Sequence, residues 1–517
     1  MNRLLLSALF GGIALSSHAE LKLPAIIGDN MVLQQKHANP IWGWDAPGTE
    51  VRVAFAGQTK SAKADANGKW TVTLDPVPAS TQPAQLAIQG SSAKTLSNVL
   101  VGEVWLCSGQ SNMQWSVAQT WDADLEIATA KFPNIRLITV PQVGTQEPQH
   151  DFKGAWQPCS PATVGDFSAV GFYYGRILHQ MLDVPVGLID NSWGGSAAEA
   201  WVRRDLLEKD ARFKSLMDGW VIREKDLASE AAKTKHEQAM AAWKSRADAA
   251  KAAGKPFTER APASPQSILA GQHRPGNLYN GVLLPVIGYG IKGNIWYQGE
   301  SNAGRAWEYG QLFPFMIEHW RKEWKQGDFP FYWVQLADFK AEKPEPGDSD
   351  WAELRESQTK TQQAVKNSGQ AVIIDLGESN DIHPKNKRDV AERLARLALA
   401  RDYGIKIPHR SPEFKSIAIQ GDKVHVTLDT FGSSLRTLDV SEVKGFAICG
   451  EDRKWVWAEA KLAGPSKVEV SAASVAKPVA VRYAWSDNPV CNLYSVEGLP
   501  VTPFRSDDFP MITQPKP

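Results

Sequence analysis

The sequence predicts an α/β protein: a doubly wound parallel sheet flanked by two β-rich regions and interrupted by a helical insertion. Three observations carry this. From about residue 101 to 403, apolar runs of strand length alternate with helical patterns, as in parallel strands joined by crossover helices. Before and after it, over 20–100 and 404–517, short alternating runs are separated by turn residues, the pattern of small β-sandwiches. Between 204 and about 262 the alternation stops in a stretch rich in Ala, Lys and Glu that ends at Pro265.

Residues 1–19 read as a cleaved secretory signal. Arg3 supplies the charged start, 4–15 the apolar run, and Ser17-His-Ala19 the small-x-small cleavage site. This predicts a secreted or periplasmic protein. The apolar run is too short to span a bilayer easily and no second one follows, so stable membrane insertion is not expected. The chain holds 57 basic and 57 acidic residues with no basic block, which argues against a nucleic-acid partner. Apolar residues make up 43%, enough for substantial cores. Four cysteines, Cys107, Cys159, Cys449 and Cys491, match neither a disulfide scaffold nor a zinc pattern. Export permits a Cys449–Cys491 bridge; the sequence does not establish one.

In the first β region, 50–55 and 69–74 alternate apolar and polar residues, with turn signals at Pro47-Gly48 and Asn67-Gly68. In the α/β part, strands are predicted at 103–107, 135–140, 184–190, 291–297, 330–336 and 371–376. Helices are predicted near 168–182, 309–325, 351–367 and 386–402. The insertion begins amphipathic, with Leu206, Phe213, Leu216 and Trp220 on one face, and continues as a solvated helix. A spacer or interface helix pair is the simpler reading and a lid the other. The last region alternates at 424–428, 467–471 and 479–484.

Four polar clusters follow predicted strands. At 108–112 a small polar run succeeds the apolar 104–107, so Ser111 falls on a strand–helix turn, at the edge where open α/β sheets bind ligands. A helix cap is the alternative role for Ser111 or Asn112. At 187–196 a strand runs into Gly194-Gly195, whose N–H groups suit an oxyanion or simply a tight turn. At 295–302 a strand ends in Gln298-Gly-Glu300-Ser-Asn302, where Asn302 offers an amide donor or a cap. At 371–384 a strand leads to Asp381-Ile-His383-Pro384. A histidine takes the proton of a serine hydroxyl, and a carboxylate on its other nitrogen fixes its tautomer. Together these residues predict acyl transfer with Ser111 attacking and His383 as base, then acid. Met113 replaces the second glycine of a nucleophile elbow. None of the ten histidines forms a His-x-His or His-Glu-x-x-His cluster, which disfavours metal hydrolysis, and a serine–histidine mechanism needs no cofactor.

In this order, Gly109-Gln-Ser-Asn-Met113, Ser192-Trp-Gly-Gly-Ser196, Tyr297-Gln-Gly-Glu-Ser-Asn302 and Asp381-Ile-His-Pro384 resemble the blocks of SGNH hydrolases. More narrowly, they resemble the sialate O-acetylesterase family of carbohydrate esterases. The resemblance extends to 28–33, 354–358, 482–487 and 492–494, nearly the whole chain beyond residue 19. It implies a flavodoxin-like catalytic domain with accessory β domains, removing acetyl groups from sugar hydroxyls. Carried over by position, Ser111 is the nucleophile and His383 the base. Asn302 and a glycine of Gly194-Gly195 join the Ser111 N–H in the oxyanion hole. The wider superfamily has an aspartate three residues before the histidine, where this chain has Asn380. Asp381 is then the orienting acid, with Asp375, Glu378 or a backbone carbonyl as alternatives, or a Ser–His dyad operates. Gln110, Gln298, Glu300 and Trp307 are the candidate substrate contacts. The substrate is an acetylated glycan: a sialate ester, for which Arg305 or Arg355 could meet the carboxylate, or an acetylated xylan, xyloglucan or other plant polymer. A non-catalytic glycan-binding protein and a lipase or thioesterase are the alternatives from other classes. Oligomeric state is left open.

Overall fold

The computed structural model describes residues 20–515; the predicted signal at 1–19 lies outside them. Six strands come first among the described residues: β1 (Val32–Gln34), β2 (Asn39–Trp44), β3 (Glu50–Phe55), β4 (Gln58–Lys63), β5 (Lys69–Leu74) and β6 (Ser80–Gln89). In β3 and β5 every second residue is buried, the one-sided alternation expected where one sheet face meets water. The next strand, β7 (Ala93–Gly109), is 17 residues long and belongs to two neighbourhoods. Its first part pairs antiparallel with β6 and parallel with β1. Its second part, buried from Val99 onward, is the central strand of the α/β sheet.

That sheet adds β8 (Phe132–Thr139), β9 (Gln157–Cys159), β10 (Val186–Asp190), β11 (Gly293–Tyr297), β12 (Phe331–Val334) and β13 (Ser368–Ala371). The order is β13-β12-β11-β7-β10-β8-β9, parallel except for β9 at one edge. Among the parallel strands, taken in chain order, the first (β7) therefore lies between the third (β10) and the fourth (β11), whereas in a flavodoxin order it would adjoin the second. After β10 the chain crosses β7 and builds outward on the other side, so β7 marks the switch point.

Helices α1 (Ser111–Gln114), α2 (Ala123–Thr129) and α3 (Ala169–Leu182) follow β7 and β8. The insertion holds α4 (Arg204–Lys209), α5 (Lys214–Leu227), α6 (Glu230–Ala252) and α7 (Pro265–Leu269). Then come α8 (Ala306–Trp324), α9 (Asp350–Ala364) and α10 (Lys387–Arg401). One sheet face, with Trp105, Cys107, Leu188, Ile295 and Tyr332, packs on α3 and α10 through Val170, Tyr174, Val390 and Leu394. The other, with Leu106, Ile189, Trp296 and Trp333, packs on α8 and α9 through Phe313, Trp320 and Leu354. Strands covered on both faces carry no polar alternation, which is why they read as continuous apolar runs.

One strand boundary changes, and the cysteine pairing that the sequence leaves open is settled. The strand expected at 371–376 is β13, ending at Ala371; beyond it Val372 and Ile374 pack into a separate core with Val424, Val468 and Val481 of the C-terminal strands. All four cysteines are free thiols, so Cys449 and Cys491 do not bridge. In the insertion Phe213 and Trp220 are buried as the pattern predicts, and α6 has no buried residue.

Candidate active site

Strand β7 delivers Ser111. Gly109 has φ of +137°, and a Cβ there would lie 2.2 Å from the Tyr297 carbonyl oxygen, so only glycine fits beside β11. The Gln110 N–H then donates to that same carbonyl at 2.9 Å. Pinned this way, the chain leaves the sheet sharply, and Ser111 opens α1 at the carboxyl edge of the switch-point strand. His383 comes from the loop between β13 and α10.

The two meet. Ser111 Oγ lies 2.8 Å from His383 Nε2, a hydrogen bond linking residues 272 apart in sequence. The Trp115 ring stacks on the imidazole with centroids 4.7 Å apart and planes 14° apart. The pair sits in a cleft of about 530 Å³, lined also by Gln114, Gln119, Thr139, Pro141, Gln142, Asp166, Asp190 and Ser192. No residue of the helical insertion lines this cleft.

Asp381 is near the histidine but not tightly on it. Its Oδ1 accepts from the His383 backbone N–H at 2.9 Å and stands 3.5 Å from Nδ1, and its side chain is 38% exposed. Burial holds the imidazole below its ordinary pKa of 6.5; the Lys387 cation adds to this and Asp381 opposes it. The alternative acids are engaged elsewhere: Asp375 holds Arg393 at 2.6 Å, and Glu378 accepts from the Lys385 N–H at 2.9 Å.

Gly194 also reaches the serine. A Cβ on it would stand 3.4 Å from Ser111 Cβ, but its N–H donates to Gln114 Oε1 at 2.7 Å. Gly195 has φ of +71°, and its carbonyl accepts from Ser301 Oγ at 2.9 Å. It serves the turn.

The remaining candidates do not line the cleft. Asn302 Nδ2 donates to Glu199 at 3.0 Å while Oδ1 accepts from Ala198 N–H and Gln298 Nε2, so its amide is spent on a buried network. Gln110 Oε1 accepts from the Gly299 and Ser301 N–H groups. Gln298 is wholly buried and donates to the Ser196 carbonyl. Glu300 accepts from Asn112 Nδ2 at 2.6 Å. These side chains brace the turns beneath the serine. Trp307 is half-buried at the start of α8, its N–H on Thr513 Oγ1. Arg305 is paired with Glu199 and Glu308. Arg355 is fully buried and donates to the carbonyls of Leu336, Ala337, Ser486 and Asp487.

Three residues escape sequence reading. Gln114 sits one helical turn after Ser111. Asp190, at the end of β10, lines the cleft; burial pushes its carboxyl up to about 6, against bonds from the Ser192 hydroxyl and N–H. A polar residue closing the apolar run 186–189 was the available signal. Lys387 reads as one more solvated helix cation and is fully buried instead.

Fold and site together define an α/β protein whose cleft carries a serine–histidine pair, the arrangement suited to acyl transfer. Comparison with known proteins narrows the class. The chain belongs to the sialate O-acetylesterase family of carbohydrate esterases. A family model described as carbohydrate esterase, sialic acid-specific acetylesterase, matches residues 277–400. Sialate O-acetylesterase of Mus musculus is 30% identical, over 95% of this chain and 95% of its own. That of Homo sapiens is 28% identical, over 93% and 92%. The crystal structure of XAC1771, described as a novel carbohydrate acetylesterase from Xanthomonas citri, is 36% identical. It superposes with a TM-score of 0.79 over 95% of this chain and 100% of that one.

Proposed function

We propose that this protein is an exported carbohydrate O-acetylesterase of the SGNH type, working through an acetyl-serine intermediate on Ser111. The observation that carries the reading is the 2.8 Å contact between Ser111 Oγ and His383 Nε2 within the cleft. Ser111 Oγ attacks the acetyl carbonyl carbon while His383 Nε2 takes the hydroxyl proton. The resulting oxyanion is held by the Ser111 N–H, one of the unpaired donors that begin any helix, and by the Gly194 N–H once Gln114 yields it. Collapse expels the sugar oxygen, which receives the proton from His383. Water then attacks the acetyl-serine, again with His383 as base, releasing acetate and restoring the serine. Low imidazole basicity suits this cycle, because the free base form is present at neutral pH.

Relatives' names favour a sialate ester. The cleft favours a neutral sugar: Asp166 and Asp190 line it, no lysine or arginine among the described residues does, and Arg305 and Arg355 are engaged elsewhere. An anionic sugar here would face carboxylates with no lining cation to pair with, since Lys387 is fully buried behind Trp115. The test is acetate release from acetylated hemicellulose fragments and from O-acetyl sialosides, with Ser111→Ala beside the wild type. Release lost in the variant supports the mechanism, and acetate release by the Ser111→Ala protein overturns it. Release from neutral fragments alone supports the neutral class; release from sialosides alone overturns it.

A further inference from the structure

A lysine buried at the first position of a helix is in two unfavourable places at once. Burial costs an ammonium much of its hydration, and the start of a helix is the positive end of its dipole. Lys387 is fully buried and opens α10. Its neighbours explain what holds it there. Nζ donates to Asn112 Oδ1 at 2.6 Å and to the Pro384 carbonyl at 2.5 Å. It stands 5.5 Å from the Tyr297 ring centroid and 5.8 Å from that of Trp115, within cation–π range. Asn112 in turn donates to the Ile382 carbonyl at 3.0 Å and to Glu300 at 2.6 Å.

These bonds share a geometry. Asn112 is the residue after Ser111, and Ile382 and Pro384 are the residues on either side of His383. The lysine and the asparagine therefore tie the turn that carries the hydroxyl to the loop that carries the imidazole. Asp381, the acid expected to orient the ring, makes only a long and exposed contact with it. We propose that Lys387 is a positioning residue for the esterase reaction, fixing the 382–384 loop against the Ser111 turn through Asn112 and so holding His383 at attack distance. This rests on the Ser111–His383 reading above.

Charged groups face Lys387 from two elements: Glu300 from the loop after β11, and Asp381, Glu378 and His383 from the loop before α10. The lysine's charge adds to burial in lowering the imidazole's basicity. A lysine that served stability alone would leave the kcat of the folded protein unchanged.

The test is Lys387→Met in the full chain, with kcat, KM and the pH profile of kcat/KM measured on p-nitrophenyl acetate beside wild type and Ser111→Ala. Loss of positioning should lower kcat by about 100-fold, the scale of an ångström-size misplacement. KM should stay within about threefold, and the acid limb should move to higher pH, because a cation beside His383 is gone. Unchanged kcat overturns the proposal, as does a loss of kcat with the acid limb unmoved. An inactive Ser111→Ala with a fully active Lys387→Met defeats the lysine's role alone; an active Ser111→Ala defeats both readings. Should Lys387→Met not fold, Asn112→Ala cuts the same tie from the serine side. It should lower kcat about as much with KM kept, and full activity there overturns the proposal.

Discussion

Replacing Asp381 by asparagine removes one negative charge and keeps the oxygen that accepts from the His383 N–H, so the loop retains its turn. What changes is the field at the imidazole. At 3.5 Å, two unit charges interact by about 1 kcal/mol in water and about 5 kcal/mol at an effective dielectric near 20. The carboxylate is 38% exposed, so screening places the value at the low end, about 1–2 kcal/mol of support for the imidazolium that forms in the transition state. At about 1.4 kcal/mol per decade this is a loss of roughly 5- to 30-fold in kcat/KM. A buried, tightly bonded triad aspartate is worth about 10⁴. The pH profile supplies a second readout. In the mechanism proposed above His383 must be neutral to accept the proton, so kcat/KM should rise as pH passes its pKa, which burial and Lys387 hold below 6.5. Asp381 alone among the named neighbours raises that pKa, so Asp381→Asn should move the acid limb to still lower pH. Steady-state kinetics on a small acetyl ester between pH 4 and 9 measures both. A loss approaching 10⁴-fold would refute the reasoning, because it would mean that the working enzyme closes the contact into a tight triad. An upward shift of the acid limb would refute the charge assignment.

Two further substitutions test the surroundings. Asp190 is pushed up to about 6 in the folded chain against an ordinary 3.8. The folded state therefore holds the proton more tightly, and about 3 kcal/mol of stability is lost as pH rises from 3.8 through 6. Asp190→Asn should remove that loss: thermal melts should coincide near pH 4, with the variant more stable at pH 8, and a less stable variant at pH 8 would contradict it. Arg355→Met leaves four buried carbonyls without their donor and should cost about 3–5 kcal/mol. A markedly lower melting temperature would bear this out, and an unchanged one would not.

The α/β alternation was legible because strands buried on both faces must be apolar throughout and their crossover helices must be amphipathic. Both patterns are local. Ser111 was legible for a related reason, since it lies just past the apolar 104–107. His383 lies in a loop further beyond its apolar run, with Asp381 two residues before it, and the fold brings it within hydrogen-bond distance of Ser111. What sequence could not convey was the direction of side chains on tight turns. Asn302, Gln110, Gln298 and Glu300 carry the right chemistry beside the right strands, yet their bonds run inward to neighbouring turns. Arg355, which the sequence offers as a partner for a substrate carboxylate, is a clamp on four carbonyls. Lys387 is the sharpest case, because a lysine opening a helix carries no local mark of burial. Its environment is assembled from residues 112, 297, 300 and 384, which only the fold brings together.

The 17-residue strand β7 makes the boundary between the first β region and the α/β sheet a place with no joint. A linker would let one part tilt against the other; a continuous strand, hydrogen-bonded to β6 and β1 at one end and to β10 and β11 at the other, transmits displacement as an axle does. The turn that carries Ser111 is mounted on the far end of that axle, immediately after Gly109. Any hinge motion the enzyme has must pass through other connections, and shearing the N-terminal strands away would leave the near end of β7 as a bare, adhesive sheet edge.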